Sequence, residues 1–119
     1  MSTTVVKPWF KKYKPVDEWQ YLKVKIWSDE TLDIEITELS FRMSIQQALE
    51  FVFGQVGASC YVNVLGWNQY HNEGVIKIKQ SELTTVWSAL VSYQFEMGAK
   101  LCAMEVVSSS AQLISLAEH

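Results

Sequence analysis

The feature that most limits what this chain can fold into is the order in which two hydrophobic periods follow one another along it. Residues 19–27 read Trp-Gln-Tyr-Leu-Lys-Val-Lys-Ile-Trp. Side chains on a strand point alternately to opposite faces, so Leu22, Val24 and Ile26 share one side while Tyr21, Lys23, Lys25 and Trp27 share the other. From Phe41 the period changes to that of a helix: Phe41, Ile45, Ala48, Leu49, Val52 and Val56 fall on one stripe, Ser40 offers an N-cap, and Gly54 and Gly57 mark the end. Residues 61–67 and 74–80 are β-rich runs joined by residues 68–73, which predicts a hairpin. Ser81 offers a second N-cap, and Leu83, Val86, Trp87, Leu90 and Val91 repeat at helical spacing towards Gly98. Residues 101–107 predict a last strand, and residues 111–118 a short helical tail. Between the first strand and first helix, residues 29–38 hold five acids interleaved with Leu32, Ile34 and Ile36, which suits a short edge strand or an extended loop.

The order β-α-β-β-α-β belongs to the α+β class and predicts the ferredoxin-like split βαβ arrangement: a four-stranded antiparallel sheet with two helices on one face. Its strand order is four, one, three, two. The first and third strands are then central neighbours, and their outward residues meet on the uncovered face. Lys23 and Lys25 would lie beside Lys77 and Lys79, flanked by Tyr21 and Trp27.

At 119 residues the chain has the length of one domain. Residues 1–18 hold both prolines, Pro8 and Pro15, and interleave lysine with Trp9, Phe10 and Tyr13, so an extended arm is expected there; residues 19–119 form the α+β domain. Charge divides at nearly the same point. Residues 1–16 carry Lys7, Lys11, Lys12 and Lys14 and no acid, whereas residues 17–119 carry 6 basic and 13 acidic residues. Cys60 and Cys102 stand far apart with no CxxC and no histidine pair beside them, so reduced core thiols are expected rather than a zinc knuckle or disulfide framework. No apolar run approaches the roughly 20 residues that cross a bilayer, and lysines and aromatics stand where a signal peptide needs apolar residues, so no membrane partner and an intracellular location are expected.

The catalytic inventory is thin. The five glycines are isolated, which rules out a Walker loop and a dinucleotide fingerprint, and neither GxSxG nor HExxH occurs. His71 falls in a turn and His119 at the last position, neither beside a nucleophile or carboxylate relay. Asp29, Glu30, Asp33 and Glu35 lack the spacing of a calcium loop, so neither a metal nor a cofactor is expected. A hydrolase of the acylphosphatase kind uses the same fold, but it needs an arginine-bearing anion loop after the first strand. Here Asp29 and Glu30 occupy that place, and the single arginine is Arg42.

Binding remains. Lys23, Lys25, Lys77 and Lys79 on an open sheet face suit RNA phosphates, while alternating lysines are equally what a solvated strand face looks like; the two readings stand level. The third strand lacks the aromatics of an RNP1 motif, so sequence-specific base stacking is not expected. In the arm, three aromatics within five residues are costly to leave in water. Trp9, Phe10 and Tyr13 are therefore assigned with Tyr21 and Trp27 to partner binding, and Lys7, Lys11, Lys12 and Lys14 to RNA.

Four stretches in fixed order then carry a family resemblance: Glu18-Trp-Gln-Tyr-Leu-Lys-Val, Val52-Phe-Gly-Gln-Val-Gly-Ala, Val86-Trp-Ser-Ala-Leu and Lys100-Leu-Cys-Ala-Met-Glu-Val-Val. Together, over about residues 17–117, they resemble the smallest ferredoxin-like protein subunit of nuclear ribonuclease P and of the related RNase MRP particle. The first-strand motif and the Ser108-Ser-Ser run are most similar to fungal members. The resemblance implies a non-catalytic subunit in the nucleus and nucleolus that supports precursor tRNA 5′ processing and rRNA processing. It implies as partners a paralogous ferredoxin-like subunit, a TIM-barrel subunit and the ribonuclease P or MRP RNA. The acidic core sequence departs from an RNA-dominated surface and favours protein contacts; a protein-only adaptor is the alternative.

Overall fold

The computed structural model describes residues 18–29 and 35–111. Along the chain they form β1 (Trp19–Ser28), α1 (Glu38–Ala58), β2 (Val62–Asn68), β3 (Glu73–Lys79), a 3-10 turn (Gln80–Glu82), α2 (Leu83–Ser92), β4 (Gln94–Met97) and β5 (Lys100–Ser110). The arm up to residue 17, residues 30–34 of the acidic stretch and the expected tail helix lie outside the described residues.

The sheet has five antiparallel strands in the order β2-β3-β1-β5-β4. Four of them reproduce the split βαβ order, with β1 and β3 as central neighbours, while β4 is an edge strand absent from the four-strand expectation. Its origin is a hairpin. The helical spacing of Leu83, Val86, Trp87, Leu90 and Val91 predicts a helix up to Gly98, but α2 stops at Ser92 and Met97 pairs with Lys100 across a two-residue turn. Both turn residues have positive φ, Gly98 at 61° and Ala99 at 66°, which is the backbone of a tight hairpin turn that follows the strand twist. The last strand is correspondingly longer than residues 101–107.

Alternation along β1 decides its faces: Leu22, Val24 and Ile26 are buried beneath the helices with Ile76 and Ile78 of β3. Each such side chain contributes roughly 1.5–3 kcal/mol on burial. Two bulges interrupt the alternation elsewhere. Leu65 is the extra residue between Val64 and Gly66 on β2, and Val107 the extra residue opposite Lys23 and Val24 on β5; both side chains are exposed, and the bulges change the face of the residues that follow them, Trp67 and Ser108.

The cap of α1 lies three residues before the expected one. Thr37 is extended and its Oγ1 accepts the Ser40 N–H at 3.1 Å, so Ser40 lies inside the first turn, while Glu38 pairs with Arg42 at 3.1 Å. Ser81 is likewise not a cap; it sits within the 3-10 turn, and no side chain caps α2. The stripe of α1 is buried at Phe41, Ile45, Ala48 and Leu49, yet Val56 is 70% exposed. The cause is Gly54, whose φ of 62° and ψ of −136° break the helical phase, so that residues beyond it no longer project along the original stripe. At the other end of α1, Phe41 stacks on Trp67 with ring centroids 4.6 Å apart, and Trp67 Nε1 donates to the Ile36 carbonyl at 2.8 Å. A Cβ at position 74 would overlap the Phe41 ring, so glycine there is a matter of packing.

Candidate functional site: the open sheet face

The face of the sheet turned away from the helices is built from the outward rows of β1, β3 and β5. Register places Trp19 opposite Lys79, Tyr21 opposite Lys77, Lys23 opposite Val75 and Lys25 opposite Glu73. All four sheet lysines expected to converge therefore do share one face, with Tyr21 and Trp27 in the same row. On the other side, β5 sets Ser110, Ser108, Glu105 and Ala103 opposite Tyr21, Lys23, Lys25 and Trp27.

The four lysines are not equivalent. Lys23 Nζ lies 3.7 Å from Glu73 Oε1, with both side chains largely buried. Lys25 Nζ sits 4.7 Å over the Trp27 ring, whose Nε1 donates to Glu105 Oε1 at 2.6 Å. Two acids thus face two lysines at this end, and its local charge cancels. At the opposite end, Lys77 Nζ lies 4.2 Å over the Trp19 ring, and Trp19 packs against Tyr61 with centroids 5.1 Å apart. The nearby Glu82 carboxylate accepts the Tyr61 backbone N–H at 3.1 Å. Lys77 and Lys79 have aromatic rather than acidic residues opposite them on β1, and the cation–π contact sets Lys77 on an aromatic base.

Sequence reasoning missed Trp19 and Tyr61. The signal for Trp19 was present, since it has the same parity as Tyr21, Lys23 and Lys25; Tyr61 precedes β2 by one residue and becomes visible only through the β2–β3 register. Lys7, Lys11, Lys12, Lys14, Trp9, Phe10 and Tyr13 lie outside the described residues. Tyr21 is half-buried and Trp27 is 51% exposed.

Burial raises the pKa of both thiols, aided at Cys60 by Glu82; at Cys102 a hydrogen bond with Ser28 acts in the lowering direction and the Asp29 charge in the raising one. Both cysteines are free, and neither is set up as a thiolate nucleophile. Among the described residues no three His, Cys, Asp or Glu side chains are placed to hold a metal, and no helix is long and apolar enough to cross a membrane.

The helical layer presents a different chemistry. Leu39, Met43, Phe51 and Val56 of α1 and Val91 of α2 are each at least half exposed, with Trp87 a little less so. A two-layer domain with an aromatic-lysine face on one side and an apolar helical face on the other belongs to the class of binding modules that work inside assemblies. Residues 18–93 match the family described as "Ribonucleases P/MRP protein subunit Pop8", and the chain belongs to that family. Over 104 residues it is 30% identical to "Ribonuclease P protein subunit p14" of Mus musculus, covering 87% of this chain and 84% of that protein. The Homo sapiens protein of the same name is 26% identical over the same length, covering 87% and 82%. A chain of the "Cryo-EM structure of yeast Ribonuclease MRP" superposes with a TM-score of 0.74 at 22% identity, covering 84% of this chain and 79% of that one; this likeness shows the fold.

Proposed function

We propose that the protein is a non-catalytic, ferredoxin-like subunit of the nuclear and nucleolar ribonuclease P and RNase MRP ribonucleoproteins. It supports precursor tRNA 5′ processing and rRNA processing by assembling with a paralogous ferredoxin-like subunit and a TIM-barrel subunit, and it touches the RNA through one end of its sheet. Family membership carries the first statement. The second is supported by Lys77 and Lys79, which face Tyr21 and Trp19 in the register, Lys77 lying over the Trp19 ring; cations grouped with aromatic rings suit a nucleic-acid backbone and its bases. Lys7, Lys11, Lys12 and Lys14 extend the same basic character along the chain before β1. Lys23 and Lys25, facing Glu73 and Glu105, contribute less.

That second pair favours the alternative reading, a protein-only adaptor, because two of the four sheet lysines already have acidic neighbours. Purification of the tagged protein from cells tests what the two readings share. Recovery of the TIM-barrel subunit and the particle RNA is expected, and recovery of neither would end the proposal. Ultraviolet crosslinking within the purified particle then distinguishes the two: crosslinks at residues 75–80 support RNA contact, and their absence supports the adaptor.

A further inference from the structure

We propose that a cleft at the β2–β3 hairpin end of the open sheet face takes one unpaired guanine base, read by the Lys23–Glu73 ion pair. This rests on the reading in which the sheet face meets RNA and extends it: the basic end at Lys77 and Lys79 suits the backbone, and the neutral end suits a base.

The cleft has a volume of about 470 Å³, within the roughly 300–1,000 Å³ of small-ligand sites. Lys23, Glu73 and Val75 line it from β1 and β3, and Gly66, Asn68 and His71 from β2 and the turn that follows. Its opening comes from Gly66. The bulge at Leu65 sets Gly66 opposite Val75 in the outward row, where it contributes no side chain to the face. A Cβ there would meet nothing within 4 Å, and the backbone is not left-handed, so neither packing nor conformation calls for glycine; its effect on the structure is the space it leaves. The turn is fixed before any ligand arrives: Asn68 Oδ1 accepts the Tyr70 N–H at 2.9 Å, and the Asn72 carbonyl accepts the Ile26 N–H at 2.9 Å. His71 is exposed on this turn and offers a flat ring for a base to stack on.

The chemistry of the pair selects the ligand. A lone lysine would draw an anion and a lone glutamate a cation, but Lys23 and Glu73 together are neutral and favour neither. The Nζ–Oε1 separation of 3.7 Å is an ion pair rather than a hydrogen bond, so Lys23 does not consume the acceptors of Glu73, and an ammonium has three donors to distribute. What the pair recognises is a neutral edge that sets an acceptor beside donors. Every RNA base offers an acceptor next to a donor, giving two hydrogen bonds. Guanine alone sets two adjacent donors, N1–H and the 2-amino group, beside the O6 acceptor, so both Glu73 oxygens and Lys23 are engaged in three hydrogen bonds. The two side chains are only 16% and 22% exposed, and hydrogen bonds made where water is scarce are stronger than those in bulk solvent.

Titration of the full chain with 5′-GMP, 5′-IMP and 5′-AMP, followed through the amide resonances of the isotope-labelled protein, tests this. GMP is expected to shift Gly66, His71 and Glu73 and to bind about tenfold or more tightly than AMP, the discrimination of one good bidentate pair. IMP, which lacks the 2-amino group, falls between them. Glu73→Gln, which keeps the shape but exchanges an acceptor for a donor, is expected to bring GMP and AMP to within about twofold of each other. Gly66→Val, which fills the opening without backbone strain, abolishes the shifts while the rest of the spectrum is retained. The proposal is overturned by equal GMP and AMP affinities, by GMP shifts confined to other parts of the chain, by a GMP preference that survives Glu73→Gln, or by binding that survives Gly66→Val. Those failures are separate from failure of the RNA reading, which is decided by recovery of the particle RNA and by crosslinks at residues 75–80.

Discussion

The open sheet face and the outer helical face both meet solvent in this chain, but the first is matched largely within itself, the buried Ser108 hydroxyl being an exception. On the sheet, Lys23 meets Glu73, Lys25 and Lys77 lie over tryptophan rings, and Trp27 donates to Glu105. On the helices, Phe51 is 77% exposed, and Val56 and Val91 present bare aliphatic surface. The contrast teaches that polar rows can be completed within one chain by cross-strand pairing, whereas an apolar row is completed only by something laid over it. The most exposed aliphatic and phenylalanine side chains stand on the helical side, Leu65, Leu101 and Val107 on the strands being less exposed.

Two phenylalanines on α1 test that contrast with the largest expected effect. Phe41 is 0% exposed and stacks on Trp67, so Phe41→Ala is expected to cost about 3–5 kcal/mol through lost burial and a cavity. Phe51, ten residues along the same helix, touches only Tyr93 among aromatic rings described, at 5.5 Å, and Phe51→Ser is expected to change stability by less than about 1 kcal/mol. It should also raise solubility, as fits a surface awaiting cover. Urea unfolding of both variants measures the difference; equal costs would break the distinction between the two sides of the helix.

Next in size is the division within the sheet face. Lys77→Glu/Lys79→Glu is expected to lower RNA crosslinking of the assembled particle by about tenfold and to reduce the salt dependence by roughly one unit of slope for each phosphate no longer neutralised. Lys23→Ala/Lys25→Ala should have a smaller effect, because Glu73 and Glu105 already offset those charges. A reversed order would move the basic site to the other end of the sheet.

Much of this arrangement is legible in the residues. Parity alone puts Lys23, Lys25, Lys77 and Lys79 on one side, and strand order makes them neighbours. What is not legible lies in backbone events that leave composition unchanged. The bulges at Leu65 and Val107 each shift the alternation by one residue, and the phase break at Gly54 turns Val56 outward from a stripe to which its spacing assigns it. β4 is hidden by Phe95, which continues the helical spacing of α2 while the backbone has already turned to strand. Its turn is disguised because Ala99 occupies a left-handed position usually marked by Gly, Asn or Asp. The cancelling of Lys23 by Glu73 is also a register effect, since the two are 50 positions apart in the chain.

That hairpin gives a smaller prediction. A left-handed alanine costs about 1–2 kcal/mol, part of which glycine returns through greater freedom in the unfolded chain. Ala99→Gly is therefore expected to stabilise the domain by about 0.5–1 kcal/mol, read as a rise in thermal midpoint. A loss of stability would mean that β4 is held by its pairing with β5 alone and not by the turn, and the open face would then end at β5.

The smallest effect concerns the thiols enclosed between the two faces. Burial raises both above the ordinary thiol value, so the folded state holds its protons more tightly than the unfolded one. By linkage, the stability associated with them is fully present below the unfolded thiol pKa and is lost as pH rises through the folded one, on the alkaline side of neutrality. Alkylation follows the same sign. At a mildly alkaline pH of about 8 the native protein should react with iodoacetamide more slowly than the urea-unfolded chain, with buried Cys102 slower than half-buried Cys60. If Cys102 reacted first, the β5 side of the interior would be opening to solvent, and the matched sheet would be the looser of the two layers.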